Sequence, residues 1–318
     1  MRLVIRAVVR ARWAAAATLA VAVLVGGCGA PGPGKPGTAA VVGGVGITVD
    51  QVQDQLDTVL HKEGDEVRAQ LVAGRQLDDL SRQIVTLQIR HELVAVAAKR
   101  AGLSVNSQQV SKLLYDLGGL DVASKGTIWD AEGFRKHARD QLLMTQLGQK
   151  TLRTAVTFDY TSVTTRQAAF DRAEQLAKAG SRQARELIKA DADAKRQAAV
   201  SQRVVAGDDP IFAASPAFGA EPGSVVAFQL SDTEPWLIAV IRNRAEGARP
   251  SAQAPDPKEI DPGLLEAIGL RQLAQVSKDV GIQLNPRYGV WDPVNLKAVA
   301  DKNELGGFVG PLDGTPGA

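Results

Sequence analysis

Apolar positions in the first half of this chain recur every three to four residues, the spacing of one helix face. Val52, Leu56, Val59 and Leu60 follow Thr48-Val49-Asp50-Gln51, which has the form of a capping box. A longer stripe of Leu77, Leu80, Ile84, Leu87, His91, Val94 and Ala98 predicts a helix over 77–101, closed by Gly102. Asn106 opens a third helix with Val110, Leu113, Leu114 and Leu117 on one side, and Gly118-Gly119 stops it. Phe134, Ala138, Leu142 and Leu147 predict a fourth over 131–154. Ahead of all these, 41–47 reads as one short strand with glycine punctuation.

The pattern changes after residue 155. Residues 156–161 alternate with period two, as a strand does. Helices are predicted over 166–179 and 181–199, separated by Gly180. Residues 209–223 are irregular, and 225–228 and 236–241 read as strands joined by the turn Ser231–Pro235. Residues 248–257 have linker composition. A last helix over 263–280 carries Leu265, Ile268, Leu273, Val276 and Val280, and 282–284 is strand-like. From about 299 the chain is polar and glycine-rich and reads as a loose tail.

These elements make an α+β protein. It has a mainly helical lobe at 41–154, a small α+β domain at 155–247, a linker at 248–262 and a helix and strand at 263–298. The helix of this last segment and Ile282–Trp291 resemble the segment that returns to the first lobe in SurA/PrsA-type foldases, a resemblance that implies 41–47 pairing to 282–284 and the helix at 263–280 lying against 77–101, so that the helical lobe is built from both chain ends. A flexible tail would fill 299–318.

Composition narrows the function. The chain is 45% hydrophobic but only 4% aromatic, which suits helices packed through Leu, Val and Ala. Its formal net charge is +2, yet Arg2, Arg6, Arg10 and Arg12 lie in residues 1–27, which hold no acid, so the remainder carries −2. That body has no electrostatic footprint for nucleic acid. Three scattered histidines and a single cysteine argue against a metal site and rule out an internal disulfide. Among the histidines, His91 reads as a packed or partly exposed residue of the inward stripe, and His61 and His137 as surface residues of helices. No cofactor is expected.

The arginines, the apolar run from Trp13 to Val25 and the small residues before Cys28 make residues 1–27 a secretory signal peptide. Leu24-Val25-Gly26-Gly27-Cys28 resembles a bacterial lipobox. The resemblance implies cleavage before Cys28 and a diacylglycerol on its sulfur, with palmitate-type chains holding the protein on the outer face of the cell membrane. Residues 28–40 would be a Gly/Pro tether.

The order of elements, with "V-G-G-V-G-I-T" at 42–48 and "A-A-K-R-A-G-L-S-V-N" at 97–106, resembles the SurA/PrsA-type foldases, secreted chaperones that carry parvulin prolyl-isomerase domains. Residues 155–244 resemble a parvulin domain in layout, with Phe218–Phe228 similar to the entry to one strand and Trp236–Asn243 to the closing strand. A parvulin's first strand begins with histidine and a second histidine lies on its last strands. Here the first strand reads Phe158-Asp159-Tyr160-Thr161-Ser162-Val163, and all three histidines precede the domain. The resemblance therefore implies a degenerate isomerase domain kept as a binding fold, with no catalytic residue. The partners it implies are unfolded or nascent secreted polypeptides. The alternatives are an active prolyl isomerase in which Asp159, Tyr160 and Ser162 replace the missing groups, and an envelope adaptor with one dedicated partner.

Two sets of residues are candidates for peptide binding. Leu113, Leu117, Ile128, Trp129 and Phe134 surround the Gly118-Gly119 break, and an open apolar patch of several hundred Å² would mark an interaction surface. Phe218, Val226 and Phe228 line the former isomerase pocket or else pack the core. The mixed-sign run from Glu186 to Arg196 reads as a solvated helix face.

Overall fold

The computed structural model describes residues 37–62, 69, 71, 73–74 and 76–313. The expected signal peptide at 1–27, Cys28 and most of the expected tether at 28–40 lie outside the described residues.

The chain enters through a hairpin, β1 (Thr38–Val42) and β2 (Val45–Thr48). The sequence reads this stretch as one strand. Instead Gly43 and Gly44, with φ of 56° and 86°, fold it back on itself, since two successive left-handed residues make the tight turn that matches strand twist. The outer side of β1 pairs antiparallel with β7 (Ile282–Leu284), so that Val42 faces Ile282 and Ala40 faces Leu284. The two chain ends thus meet in one small sheet.

Helix α1 (Val49–Lys62) starts with reciprocal bonds between Thr48 and Gln51. Helix α2 (Leu77–Ala101) ends at Gly102, whose φ of 67° lets its N–H reach back to the last turn. Helix α3 (Ser107–Asp116) has a complete capping box between Asn106 and Gln109. A short α4 (Leu120–Ser124) and a long α5 (Ala131–Thr151) follow. The buried stripe Ile84, Val85, Ile89 and Leu93 packs against Ala138, Leu143 and Leu147 of α5. The core is closed by Leu273 and Val276 of α8 (Pro262–Val280). Helix α8 touches α2 as expected but lies chiefly along α5. There Gly148 and Gly269 allow the two main chains to meet.

The second core is built on β3 (Ala155–Val163), α6 (Arg166–Asp193), β4 (Ala198–Val205), α7 (Pro210–Ala213), β5 (Ser224–Phe228) and β6 (Trp236–Ala245). The sheet is antiparallel in the order β10-β5-β6-β3-β4, with α6 packed on one face. Two expectations fail here. The helix predicted over 181–199 ends at Asp193, and the chain turns through Lys195, at φ 61°, into β4. This edge strand carries Ser201-Gln202-Arg203 at its exposed centre, so its alternation is faint in the sequence. The expected loose tail is ordered as far as Asp313. Strands β8 (Val290–Asp292) and β9 (Lys297–Val299) form a hairpin, and β10 (Phe308–Pro311) becomes the fifth strand beside β5. Leu312 buries its side chain on the α6 side, and Phe308 packs there against Phe170. Gly306 donates its N–H to the buried Asp292 carboxylate.

Helix α8 belongs to both cores. Leu265 and Ile268 pack under the sheet, while Leu273 and Val276, two turns on, enter the helical lobe.

Candidate peptide-binding site

Three surfaces deserve comparison: the tip of the helical lobe, the face of the sheet opposite α6, and the grooves between elements.

At the tip, α3 runs out at Leu117 and the chain turns through Gly118 and Gly119, both at positive φ, into α4. Among the described residues no apolar partner covers this corner. Tyr115 is 83% exposed, Val122 63% and Leu117 44%. Val122 folds back over Gly118, which places it beside Leu117. Of the candidates named from sequence, Leu117 belongs to this open patch, and Leu113, Ile128 and Trp129 are half-buried against the lobe core. Phe134 is 7% exposed and packs inside, so it is a core residue. Tyr115 and Val122 were missed because they lie off the apolar stripe of their helices; only the break after Leu117 signals them. The loop carrying Ile128 and Trp129 is clasped by the Lys62 ammonium, which donates to the carbonyls of Ser124, Thr127 and Trp129.

The sheet face opposite α6 is filled. Phe218, Val226 and Phe228 are at most 1% exposed, and none of the three can meet a client. The irregular 206–220 segment folds over this face. Asp209 caps α7 by accepting the Phe212 N–H at 2.9 Å, and Phe212 stacks on Phe158 with ring centres 5.3 Å apart. Phe218 meets Phe212 edge-on, and α8 adds Leu265 and Ile268. Low aromatic content conceals this cluster, since four of the seven phenylalanines are gathered on one face.

The polar trio on β3 is also dispersed. Strand alternation turns Asp159 to the α6 side, where it is fully buried. It accepts from Arg242 Nε at 2.8 Å and from the Ser201 N–H at 2.7 Å. A carboxylate so engaged is structural. Ser162 bonds Gln197, and Tyr160 alone lies half-buried beside the phenylalanines. Asp191 is likewise no part of a solvated face: it is buried and held by Arg172, Arg196 and Thr161.

A polar cleft of about 680 Å³ lies between α1, α2 and α5. His91 stands at its rim, partly exposed, with Nδ1 2.6 Å from Asp140 Oδ2. That bond raises the His91 pKa. His137 is half-buried, not a surface residue, and stacks on Trp129 with ring centres 5.6 Å apart; burial lowers its pKa. Burial also raises the pKa of Glu266, which closes the cleft from α8. Among the described residues no group of three His, Cys, Asp or Glu side chains is placed to hold a metal ion.

Residues 3–125 match the family model described as a SurA-like N-terminal domain. Over these residues the chain is similar to that domain. The described part of that match runs from the β1–β2 hairpin through α4, and therefore includes the open tip. In the fold, the SurA-like lobe is completed by α5, α8 and β7, which lie beyond the match. Two solved structures are similar to the chain. One is the foldase protein PrsA from Lactococcus lactis, 14% identical, covering 78% of this chain and 94% of that one at a TM-score of 0.26. The other is the peptidylprolyl isomerase PrsA from Bacillus cereus, 10% identical, covering 77% and 92% at 0.21. Superposition on either is poor. No curated protein matches the sequence.

Proposed function

We propose that this protein is a lipid-anchored, extracytoplasmic chaperone that holds unfolded exported polypeptides and does not catalyse prolyl isomerisation. The observation that carries the reading is the open apolar corner of Tyr115, Leu117 and Val122 within the SurA-like domain. Burying about 200 Å² there at ~25 cal/mol per Å² is worth about 5 kcal/mol before the client's ordering cost is subtracted. The result is weak, reversible holding, as a chaperone needs.

Isomerisation crosses a barrier of ~18–20 kcal/mol, which a pocket lowers by receiving and twisting the prolyl amide. In this chain the corresponding sheet face is packed with Phe158, Phe212, Phe218 and Phe228, and the β3 carboxylate is bonded to Arg242 on the opposite side. Both features support a binding rather than a catalytic role. The anchor rests on the sequence around Cys28, the only cysteine. Tethering would raise the local concentration of chaperone where clients emerge.

The test is suppression of aggregation for several unrelated unfolded proteins. The wild-type chain should protect most of them, and the Tyr115→Ser/Leu117→Ser/Val122→Ser variant should lose most of that protection while keeping its melting temperature. Protection of a single partner alone would favour an adaptor. Acceleration of proline-peptide isomerisation that Tyr160→Phe abolishes would overturn the non-catalytic part. Retention of added lipid label by a Cys28→Ser variant would overturn the anchor.

A further inference from the structure

A second groove, of about 400 Å³, lies between α8, the β5–β10 side of the sheet and the turn after Trp291. Its size is that of a small-molecule pocket. Its walls include Ile282, Val294, Val309, Pro311 and the Trp291 ring, and they are mainly apolar. Nothing in the chaperone reading uses it.

Its few polar groups are unevenly satisfied. Arg271 lines the groove and donates Nε to the Ala214 carbonyl at 2.5 Å and Nη1 to the Val294 carbonyl at 2.9 Å, both neutral acceptors. Asp292, the acid whose field reaches it, is fully buried and already engaged. Its Oδ1 accepts from the Val294 and Asn295 N–H groups, and its Oδ2 from that of Gly306. Among the described residues Arg271 makes no ion pair. Burial and the nearby Arg90 charge bring its pKa down to about 10, so it remains charged at neutral pH. The Trp291 indole N–H is buried and has no acceptor. The groove's one carboxylate, Glu221, is paired with Lys278.

The groove therefore combines aliphatic walls with an uncompensated cation and an orphan donor. An extended peptide would bring main-chain N–H groups that need acceptors, and the carboxylate here is taken. A ligand whose polar end only accepts, and carries negative charge, complements Arg271 and the Trp291 N–H. We propose that this groove binds a long-chain fatty acid anion, its acyl chain along Ile282, Val294 and Val309 and its carboxylate at Arg271.

Full-length Cys28→Ser protein, which carries no attached acyl chain, would be purified without detergent and titrated with oleate and with oleyl alcohol. Oleate should saturate one site and bind about tenfold tighter than the alcohol, since a desolvated charge contact is worth that much or more. Arg271→Gln should bring the ratio close to one. Val309→Trp, which fills the groove from an edge strand without touching the Arg271 contacts, should abolish binding and leave aggregation suppression unchanged. The proposal falls if oleate shows no saturable binding, if the alcohol binds wild type equally well, or if Val309→Trp binds like wild type. It falls equally if an end-blocked apolar peptide displaces oleate, which would make the groove a client site. Should Arg271→Gln not fold, the ligand pair and Val309→Trp still decide.

Discussion

Replacing Gly269 by alanine tests how the two halves of the molecule are joined. Met144 and Gly148 lie one turn apart on α5, as Leu265 and Gly269 do on α8. A Cβ on Gly269 would overlap the Met144 carbonyl oxygen, and a Cβ on Gly148 would overlap that of Leu265. Neither oxygen can rotate away, so to admit one methyl group the helices must part by about 1 Å. A gap of that order forfeits a quarter to a half of each van der Waals contact along the seam, where Leu147 and Ile268 are buried. Overpacking of this kind costs ~1–3 kcal/mol, and alanine's better helix propensity returns about 1. With a rigid backbone clash the upper part of that range applies, and the net loss should be about 2 kcal/mol. Urea unfolding would show it as a lower midpoint at unchanged slope. The same parting of the helices relieves both clashes, so Gly148→Ala/Gly269→Ala should cost less than the sum of the single changes. A Gly269→Ala protein as stable as wild type, or a double variant at the full sum or beyond, would refute the close-crossing account.

Two further outcomes follow from buried and half-buried charges. Asp159→Ala leaves Arg242 buried without its carboxylate and should destabilise the protein by ~3–5 kcal/mol; a thermal melt unchanged from wild type would show that the pair is not structural. The Asp140 bond raises the folded pKa of His91, so its stabilisation is present below the unfolded value near 6.5 and is lost as pH rises through the folded one. The stability gap between wild type and His91→Gln, read by urea unfolding, should therefore be wider at acid than at alkaline pH, while the lowered His137 makes acidification costly in both proteins.

Local signals were legible wherever the chemistry is local. The capping boxes at Thr48/Gln51 and Asn106/Gln109 and the Gly102 stop appear in the fold as the sequence lays them out, whereas the buried face of α2 is rotated from the expected stripe, with Val85, Ile89 and Leu93 buried and His91 exposed. The meeting of β1 and β7 was legible only through the resemblance of Ile282–Trp291 to the segment that returns to the first lobe in SurA/PrsA-type foldases. What stayed hidden depends on tertiary context. Strand β10 gains its stability from Phe308 and Leu312 entering a core that the tail's own composition does not reveal. Asp159 looks like a candidate for chemistry until strand alternation places it next to Arg242. Phe218, Val226 and Phe228 read equally well as pocket or core, and only the fold of the 206–220 segment over the sheet decides for core. Gly148 and Gly269 sit inside helices where the sequence offers no reason for glycine until the crossing is seen.

The shared helix also constrains how a client can be held. Two lobes joined by a linker move as hinged bodies unless the interface between them is large and apolar. Here α8 contributes Leu265 and Ile268 to one core and Leu273 and Val276 to the other, all of them buried. The C-terminal hairpin ties the halves again. Arg90 of α2 donates to the carbonyls of Asn295 and Leu296, Thr86 accepts the Ala298 N–H, and the same chain then runs on into β10 of the large sheet. Closing one lobe on the other about α8 would strip a side of that helix from its core and expose several large aliphatic side chains, each worth ~1.5–3 kcal/mol when buried. No modest client affinity offsets that loss. Holding by a jaw-like closure is therefore disfavoured on energetic grounds, and holding on a fixed outer surface, such as the corner at Tyr115, Leu117 and Val122, carries no such cost.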